Sequence, residues 1–383
     1  MIDLPLFDDR HRTLHARLGG AIAHLEAITA RAESGDVDGA GRDAIRECAT
    51  LGLCRLLIPS TLGGVGLDLR SLCLAREALA SVSGVTDAAY AVHGLGTYPL
   101  ALSGNRAMAE KYLPDAAEGR TIGAFAMTEP DAGSDAGAIA TRAVRDGDDY
   151  VLDGTKIFIS NATIAGFFVI FARTSEGPKR PISAFAVDAG HPGLEIARRQ
   201  QMMAPHSIAA LRLSGCRIPS AQRLGGEGDG MRLALGTLDF FRPSVGAAAC
   251  GLAARALEES RAHVQSRRQF GSALSDLQLT QAALADMATE LEAARLLVYR
   301  AAWARDAGAE RLTRESAMAK LFATEAAHRI VDRAVQLHGG IGVERGTVVE
   351  RLYREVRALR IYEGTSEIQR LVIARDLLKP SAS

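Results

Sequence analysis

The sequence predicts an α+β protein of three successive parts: an N-terminal helical domain (1–120), a middle β domain (121–228) of barrel or sandwich type and a C-terminal helical bundle (229–383). Three observations carry this expectation. Apolar residues recur at helical spacing in the first part, short β-branched and aromatic runs follow, and long helical stripes fill the remainder. A chain of 383 residues is long enough for two or three domains and a large buried core.

In the first part Leu14, Leu18, Ile22, Leu25 and Ile28 step by three and four, as one face of a helix requires. Two Gly/Pro-rich stretches, IPSTLGGVGLDL (Ile58 to Leu69) and GLGTYPLALSG (Gly94 to Gly104), are expected to interrupt the helices. Near Thr121 the pattern changes. TIGAFAMTE, DYVLDGTKIFIS, FFVIFART, ISAFAVD and LRLSGCRIP are strand-like runs divided by turn residues such as Asp153-Gly154 and Pro192-Gly193. The region closes at the glycine-rich GGEGDG (Gly225 to Gly230). Beyond Met231, Leu284, Met287, Leu291, Ala294, Leu297 and Ala301 mark one buried helical stripe. The small residues of GAAACGLAARAL (Gly246 to Leu257) let a helix approach its neighbours closely.

Lysine plus arginine (45) balance aspartate plus glutamate (45), so no bulk field draws the chain to nucleic acid or an anionic membrane. No window approaches the roughly 20 apolar residues of a membrane span. The start, MIDLPLFDDRHRTLHARLGG, lacks a basic segment followed by an apolar run, so a cytoplasmic protein is expected. Cys48, Cys54, Cys73, Cys216 and Cys250 form neither metal-ligand pairs nor a disulfide framework and read as core residues; no metal site is expected.

Two stretches carry chemistry. In RIYEGTSEIQR (Arg360 to Arg370) a carboxylate, Glu363, sits between an aromatic residue and Gly364, before a segment with helical spacing. Thr365, Ser366 and Glu367 read as a helix start with a capping hydroxyl. In AFAMTEPDAGSD (Ala124 to Asp135) a strand runs into a loop whose Thr128, Gly133 and Ser134 suit an acceptor-rich ligand.

These two stretches, with YVLDGTKIFISNA (Tyr150 to Ala162), SRRQFG (Ser266 to Gly271) and QLHGGIG (Gln336 to Gly342), together resemble the acyl-CoA dehydrogenases. The motifs stand in family order and cover nearly the whole chain. The resemblance implies the same three domains with a C-terminal four-helix bundle, FAD at the junction of the last two, and a homotetramer built as a pair of dimers. It implies that Phe125, Met127, Thr128, Phe158 and Ser160 line the flavin ring. Arg267, Phe270, Gln278, Gln336, Gly339 and Gly340 correspond to contacts with the FAD of a neighbouring subunit. Thr365 and Glu367, just after Glu363, correspond to contacts with the FAD pyrophosphate or ribose. On residue type alone Arg267 reads equally as a surface ion pair, and Gly339-Gly340 as a helix interruption.

Glu363 resembles the family's general base, taking an α proton from an acyl thioester while a hydride leaves the β carbon for the flavin. The Glu363 backbone N–H and a ribityl hydroxyl of FAD would hold the thioester oxygen. Phe241 occupies the place where some members carry the base instead, and cannot remove a proton. Asp239 and Arg242 match the carrier channel or form a mutual ion pair; Ser134, Leu238 and Gly364 complete the substrate side. The segment QQMMAPHSIAALRLSG (Gln200 to Gly215) departs from the family: an expected Met-Gly-x-Arg is absent and His206 stands there, more in keeping with a loop histidine than a catalytic one. This brings a carrier-protein-bound, ring-containing or branched acyl group into view beside acyl-CoA. The implied electron acceptor is an electron-transfer flavoprotein. An oxidase, a monooxygenase on the same fold and a non-catalytic thioester-binding protein are the alternatives.

Overall fold

The computed structural model describes residues 1–175, 181–309 and 311–379. Helices α1 (Asp9–Ala21), α2 (Glu26–Glu33), α3 (Val37–Thr50), α4 (Leu69–Val82), α5 (Gly84–Leu102) and α6 (Arg106–Ala117) come first. Strands β1 (Gly123–Ala126), β2 (Arg142–Asp146), β3 (Asp149–Ser160), β4 (Phe167–Arg173), β5 (Ile182–Asp188), β6 (Leu194–Arg199), β7 (Ile208–Pro219) and β8 (Arg223–Leu224) follow. The chain ends with α7 (Gly230–Ser266), a hairpin of β9 (Arg268–Gln269) and β10 (Ser272–Ala273), and helices α8 (Gln278–Asp306), α9 (Thr313–His338), α10 (Val348–Leu359) and α11 (Ser366–Leu377). Helices thus flank a central sheet in sequence. The residues form two compact units: Met1–His24, Asp68–Gly84 and Asp239–Ser383 in one, Leu25–Leu67 and Val85–Leu238 in the other.

The second unit is built on a sheet of order β6-β7-β3-β2-β4-β5-β8, with β1 paired in parallel to β4. The strand-like runs DYVLDGTKIFIS and ISAFAVD are β3 and β5, and their alternating or continuous apolar residues supply the core, with Leu152, Ile159, Phe185 and Val187 all buried. The sequence reading missed β2, β6 and β8. β2 (RAVRD) and β6 (LEIARR) are charge-rich and largely exposed, and β8 is two residues long, so none shows an apolar pattern.

The expected interruption at Gly94 to Gly104 is corrected: α5 runs to Leu102 with Pro99 inside it. Its glycines serve close approach instead. A Cβ on Gly96 would lie 2.5 Å from the Ala124 backbone nitrogen, so only glycine lets α5 sit against β1. Neighbouring His93 accepts from Gly123 N–H at Nδ1 (3.1 Å), and its Nε2 lies 3.1 Å from the Ala116 carbonyl. Burial pulls its pKa down to about 4, so the imidazole is neutral and ties α5 and α6 to β1.

In the first unit Asp68 caps α4 through Ser71 N–H (3.1 Å) and meets His11 Nε2 of α1 (2.8 Å). Asp306, at the end of α8, accepts from Leu69 and Arg70 N–H (2.8 and 3.0 Å) and Arg70 Nε (2.8 Å). Glu77 of α4 accepts from Arg295 and Tyr299 of α8, both at 2.7 Å. The small-residue tract of α7 has the purpose expected of it. A Cβ on Gly251 would lie 2.1 Å from the Glu77 carbonyl oxygen. The cysteines are all free and buried. Among the described residues no helix is long and apolar enough to cross a membrane.

Candidate active site

The loop between α10 and α11 carries Glu363. After α10 ends, the N–H groups of Ile361 and Tyr362 both return to the Ala358 carbonyl (2.9 and 3.1 Å). Glu363 then takes φ 55° and Gly364 φ 92°. Glycine adopts this conformation freely, whereas a side chain costs about 1–2 kcal/mol there. A glutamate kept in that state must be held by its surroundings, and such strain gathers at functional sites.

The holding groups are specific. Thr365 caps α11 as expected, its hydroxyl accepting from Ile368 N–H (3.3 Å). Ser366 N–H closes the loop on the Arg360 carbonyl (3.1 Å), and Glu325 of α9 accepts from both Arg360 Nε (2.9 Å) and Ser366 Oγ (2.5 Å). Beneath the loop Lys320 of α9 donates to the Gly364 carbonyl (2.8 Å). Gln369 of α11 donates to the carbonyls of Gly364 (2.9 Å) and Glu363 (3.4 Å). A Cβ on Gly364 would lie 2.6 Å from the Gln369 amide nitrogen and 3.9 Å from Arg242 Nη2. Arg242, 5% exposed, pairs through Nη1 with Asp239, and Asp239 accepts from Thr313 Oγ1 (3.0 Å). The Arg242 Nε is buried with no partner among the described residues.

The second unit holds another constellation. Ile157 N–H donates to the Thr128 carbonyl (2.9 Å), tying β3 to the residues just after β1. Phe158 has φ 55°, and its N–H donates to Gln200 Oε1 (2.8 Å); Asn161 has φ 60° and donates to the Ala89 carbonyl (2.9 Å). Phe158 is 53% exposed, unusual for an aromatic in a strand whose next residue, Ile159, is fully packed. Met127 is buried, Thr128 and Ser160 are half-buried, and Phe125 packs on Phe171 with ring centroids 4.7 Å apart. An exposed aromatic face beside two hydroxyls suits a flat ring with acceptors along one edge.

Under this surface Lys156, fully buried, donates to Glu129 Oε1 (2.7 Å) and to the Met127 carbonyl (3.1 Å). Glu129 also accepts from Thr141 N–H (3.1 Å). Burial pushes the Glu129 carboxyl up, but the Lys156 charge and these hydrogen bonds outweigh it and hold the pKa below the usual value. Burial brings Lys156 down to about 8 against the pull of Glu129, so the pair is ionised at neutral pH.

Glu363, Gly364, Thr365, Glu367, Asp239 and Arg242 therefore belong to the first unit, where Gly364 and Arg242 are close neighbours. Phe125, Met127, Thr128, Phe158 and Ser160 belong to the second, with exposed Ser134 and half-buried Leu238. Arg267, Phe270, Gln278, Gln336, Gly339 and Gly340 all lie exposed in the first unit. Phe270 is 93% exposed at φ 51°, and Gly339 ends α9 at φ 61°. His206 has its pKa drawn down to about 4 by burial and stays neutral. The sequence reading missed Lys320, Glu325, Gln369, Lys156 and Gln200. Lys320 was detectable as a lone cation within the small and apolar residues of SAMAKLFATEAA.

Family comparison matches the chain to the acyl-CoA dehydrogenase N-terminal domain over residues 21–120, the middle domain over 124–216 and the C-terminal domain over 228–378. Cyclohexane-1-carbonyl-CoA dehydrogenase of Geobacter metallireducens is 37% identical over 96% of this chain and 94% of its own. A subunit of the caffeyl-CoA reductase–Etf complex of Acetobacterium woodii is 40% identical over 88% of this chain and 90% of its own. An acyl-CoA dehydrogenase from Bacillus anthracis, solved in complex with FAD, superposes with a TM-score of 0.90 at 30% identity, over 97% of this chain and 67% of that one.

Proposed function

Since the chain belongs to the acyl-CoA dehydrogenase family of FAD-dependent oxidoreductases, we propose that it interconverts a saturated acyl thioester and its 2-enoyl counterpart, with Glu363 as the base. The observation that carries the reading is the left-handed backbone of Glu363, held by Lys320, Gln369 and the Arg360–Glu325–Ser366 clamp. A carboxylate fixed this way can be aimed at one proton.

Residues of the β unit fit the cofactor: the exposed Phe158 ring offers a stacking face, and the Thr128 and Ser160 hydroxyls can meet the polar edge of a flavin. FAD, when bound, accepts the hydride that leaves the substrate's β carbon. Glu363 takes the α proton, and its backbone N–H would hold the thioester oxygen as charge develops there, worth on the order of 3 kcal/mol by analogy with other oxyanion donors. Arg242, whose Nη2 faces Gly364 and whose Nε has no partner among the described residues, serves the substrate's polar chain, and Asp239 fixes its orientation. Ser134 and Leu238 are assigned to the substrate side, and Thr365 and Glu367 to the cofactor's ribose and pyrophosphate.

The exposed Arg267, Phe270, Gln278, Gln336, Gly339 and Gly340 are assigned to the cofactor of a second copy in a homotetramer. Domain boundaries are placed at 1–120, 121–228 and 229–383. Electrons pass to an electron-transfer flavoprotein, as the Acetobacterium relative's complex with Etf supports. A base that removes an α proton also returns it, so the same geometry serves reduction of the enoyl thioester, the direction named for that relative. The altered segment Gln200 to Gly215 and the Geobacter relative favour including a ring-bearing acyl group among the substrates.

The test is anaerobic mixing of the FAD-loaded enzyme with butyryl-CoA, cyclohexanecarbonyl-CoA and the same acyl groups on a carrier protein. Bleaching of the flavin absorbance by at least one thioester, with the 2-enoyl product, is expected. A flavin that none of them reduces, and that no enoyl thioester reoxidises, would contradict the reading.

A further inference from the structure

Lys320 lies in α9, outside the sequence motifs, and its side chain is fully buried. An ammonium taken out of water needs strong compensation. Among the described residues its Nζ has one hydrogen-bond partner, the Gly364 carbonyl at 2.8 Å. That carbonyl belongs to the residue after Glu363, inside a pair of consecutive left-handed residues. One neutral acceptor does not balance a buried charge. The largest compensating charge on Lys320 comes from Glu363, with Glu325 of its own helix and Glu367 of α11 behind it, and Arg242 of α7 opposing.

We propose that Lys320 is a positioning residue for Glu363: it holds the 363–364 hinge through the Gly364 carbonyl and supplies a buried positive charge that keeps the base ionised. The inference rests on the assignment of Glu363 as the base. Its two parts are physically distinct. The hydrogen bond, with those from Gln369, holds the hinge backbone from which the Glu363 side chain projects. The charge favours the carboxylate over the carboxylic acid, and its effect grows when substrate displaces water and screening falls. Burial draws Lys320 itself down to about 8 against the pull of Glu363, so the ammonium is present at neutral pH. Gln369, which also donates to the Gly364 carbonyl, shares the first part and not the second.

The experiment compares Lys320→Gln, Lys320→Met and Lys320→Arg as FAD-loaded enzymes, following the anaerobic rate of flavin reduction from pH 5.5 to 9. Loss of the charge raises the pKa of Glu363, so the acid limb moves up by about one pH unit and the rate below it falls about tenfold. This is expected in Lys320→Gln, which can still donate to Gly364, and in Lys320→Met, with KM little changed. Lys320→Arg restores the limb. A merely structural lysine would alter melting temperature or FAD content and leave the limb in place.

An unmoved limb in folded, flavin-loaded Lys320→Gln overturns the proposal, and that variant decides the matter if Lys320→Met does not fold. Glu363→Gln run alongside separates the two claims. Persistent reduction in Glu363→Gln removes the base assignment and this proposal with it. Loss there together with an unmoved limb in Lys320→Gln removes the role of Lys320 alone.

Discussion

Among the described residues the β unit and the helical unit each bury one lysine, Lys156 and Lys320, but the two lysines are used differently. In the β unit Lys156 bonds directly to a carboxylate, Glu129, which also takes Thr141 N–H. That carboxylate is committed on several sides and, through Lys156, links the Ala140–Thr141 backbone to the Met127 carbonyl. In the helical unit Lys320 bonds to a neutral carbonyl and acts on Glu363 through charge and hinge geometry. A buried carboxylate whose oxygens are saturated by donors holds a surface in place. Glu363, half-buried, is instead held at its backbone, through the hydrogen bonds of Lys320 and Gln369 to the 363–364 carbonyls.

The sharpest break in this comparison exchanges the two glutamates' fates. Glu363→Gln is expected to lower turnover by on the order of 10⁴-fold, the upper range for a general base, while FAD content and melting temperature stay near those of the parent. Steady-state assay with an active thioester and the visible flavin spectrum check it. Glu129→Ala should do the reverse. It strands Lys156 in the core, and breaking a buried pair costs about 3–5 kcal/mol, read by urea unfolding together with loss of bound FAD.

A pH effect of intermediate size comes from His93. Its folded pKa near 4 lies below the unfolded value of 6.5, so the unfolded state binds more protons between those values. Stability therefore falls as pH drops from 6.5 towards 4, by about 3 kcal/mol in total from this group. Unfolding midpoints between pH 7 and 4.5 should show a shallower slope in His93→Gln; an equal slope would remove His93 as its source. The smallest effect belongs to Gln200→Ala, which leaves the Phe158 N–H without its acceptor in the β unit. About 1–2 kcal/mol is expected, seen as faster FAD release, with the acid limb of the reaction unmoved because the helical unit is untouched.

How far the sequence foretold this molecule depends on the range of the interactions involved. Helical and strand regions were legible because their patterns are local: β3 and β5 coincide with two apolar runs, and the Thr365 cap follows from residue type. The charge-rich β2 and β6 were missed because their residues are mostly exposed and they pair through the backbone, leaving no apolar signature. The glycines of α5 look like helix breakers in the sequence, and only the packed structure shows Gly96 against the β1 backbone. Glu363 stood out through its motif. Lys320, 43 residues upstream, and Gln200, 42 residues from Phe158, did not, because their partners are brought to them by tertiary packing.

The central claim is tested most directly by isotope exchange at the substrate's α carbon. The FAD-loaded enzyme and its Glu363→Gln variant are incubated anaerobically in D₂O with an acyl-CoA that bleaches the flavin, and the recovered thioester is weighed by mass spectrometry. The account predicts deuterium at the α carbon with the parent enzyme and none above background with the variant, both retaining FAD. Equal incorporation by the two proteins would contradict it.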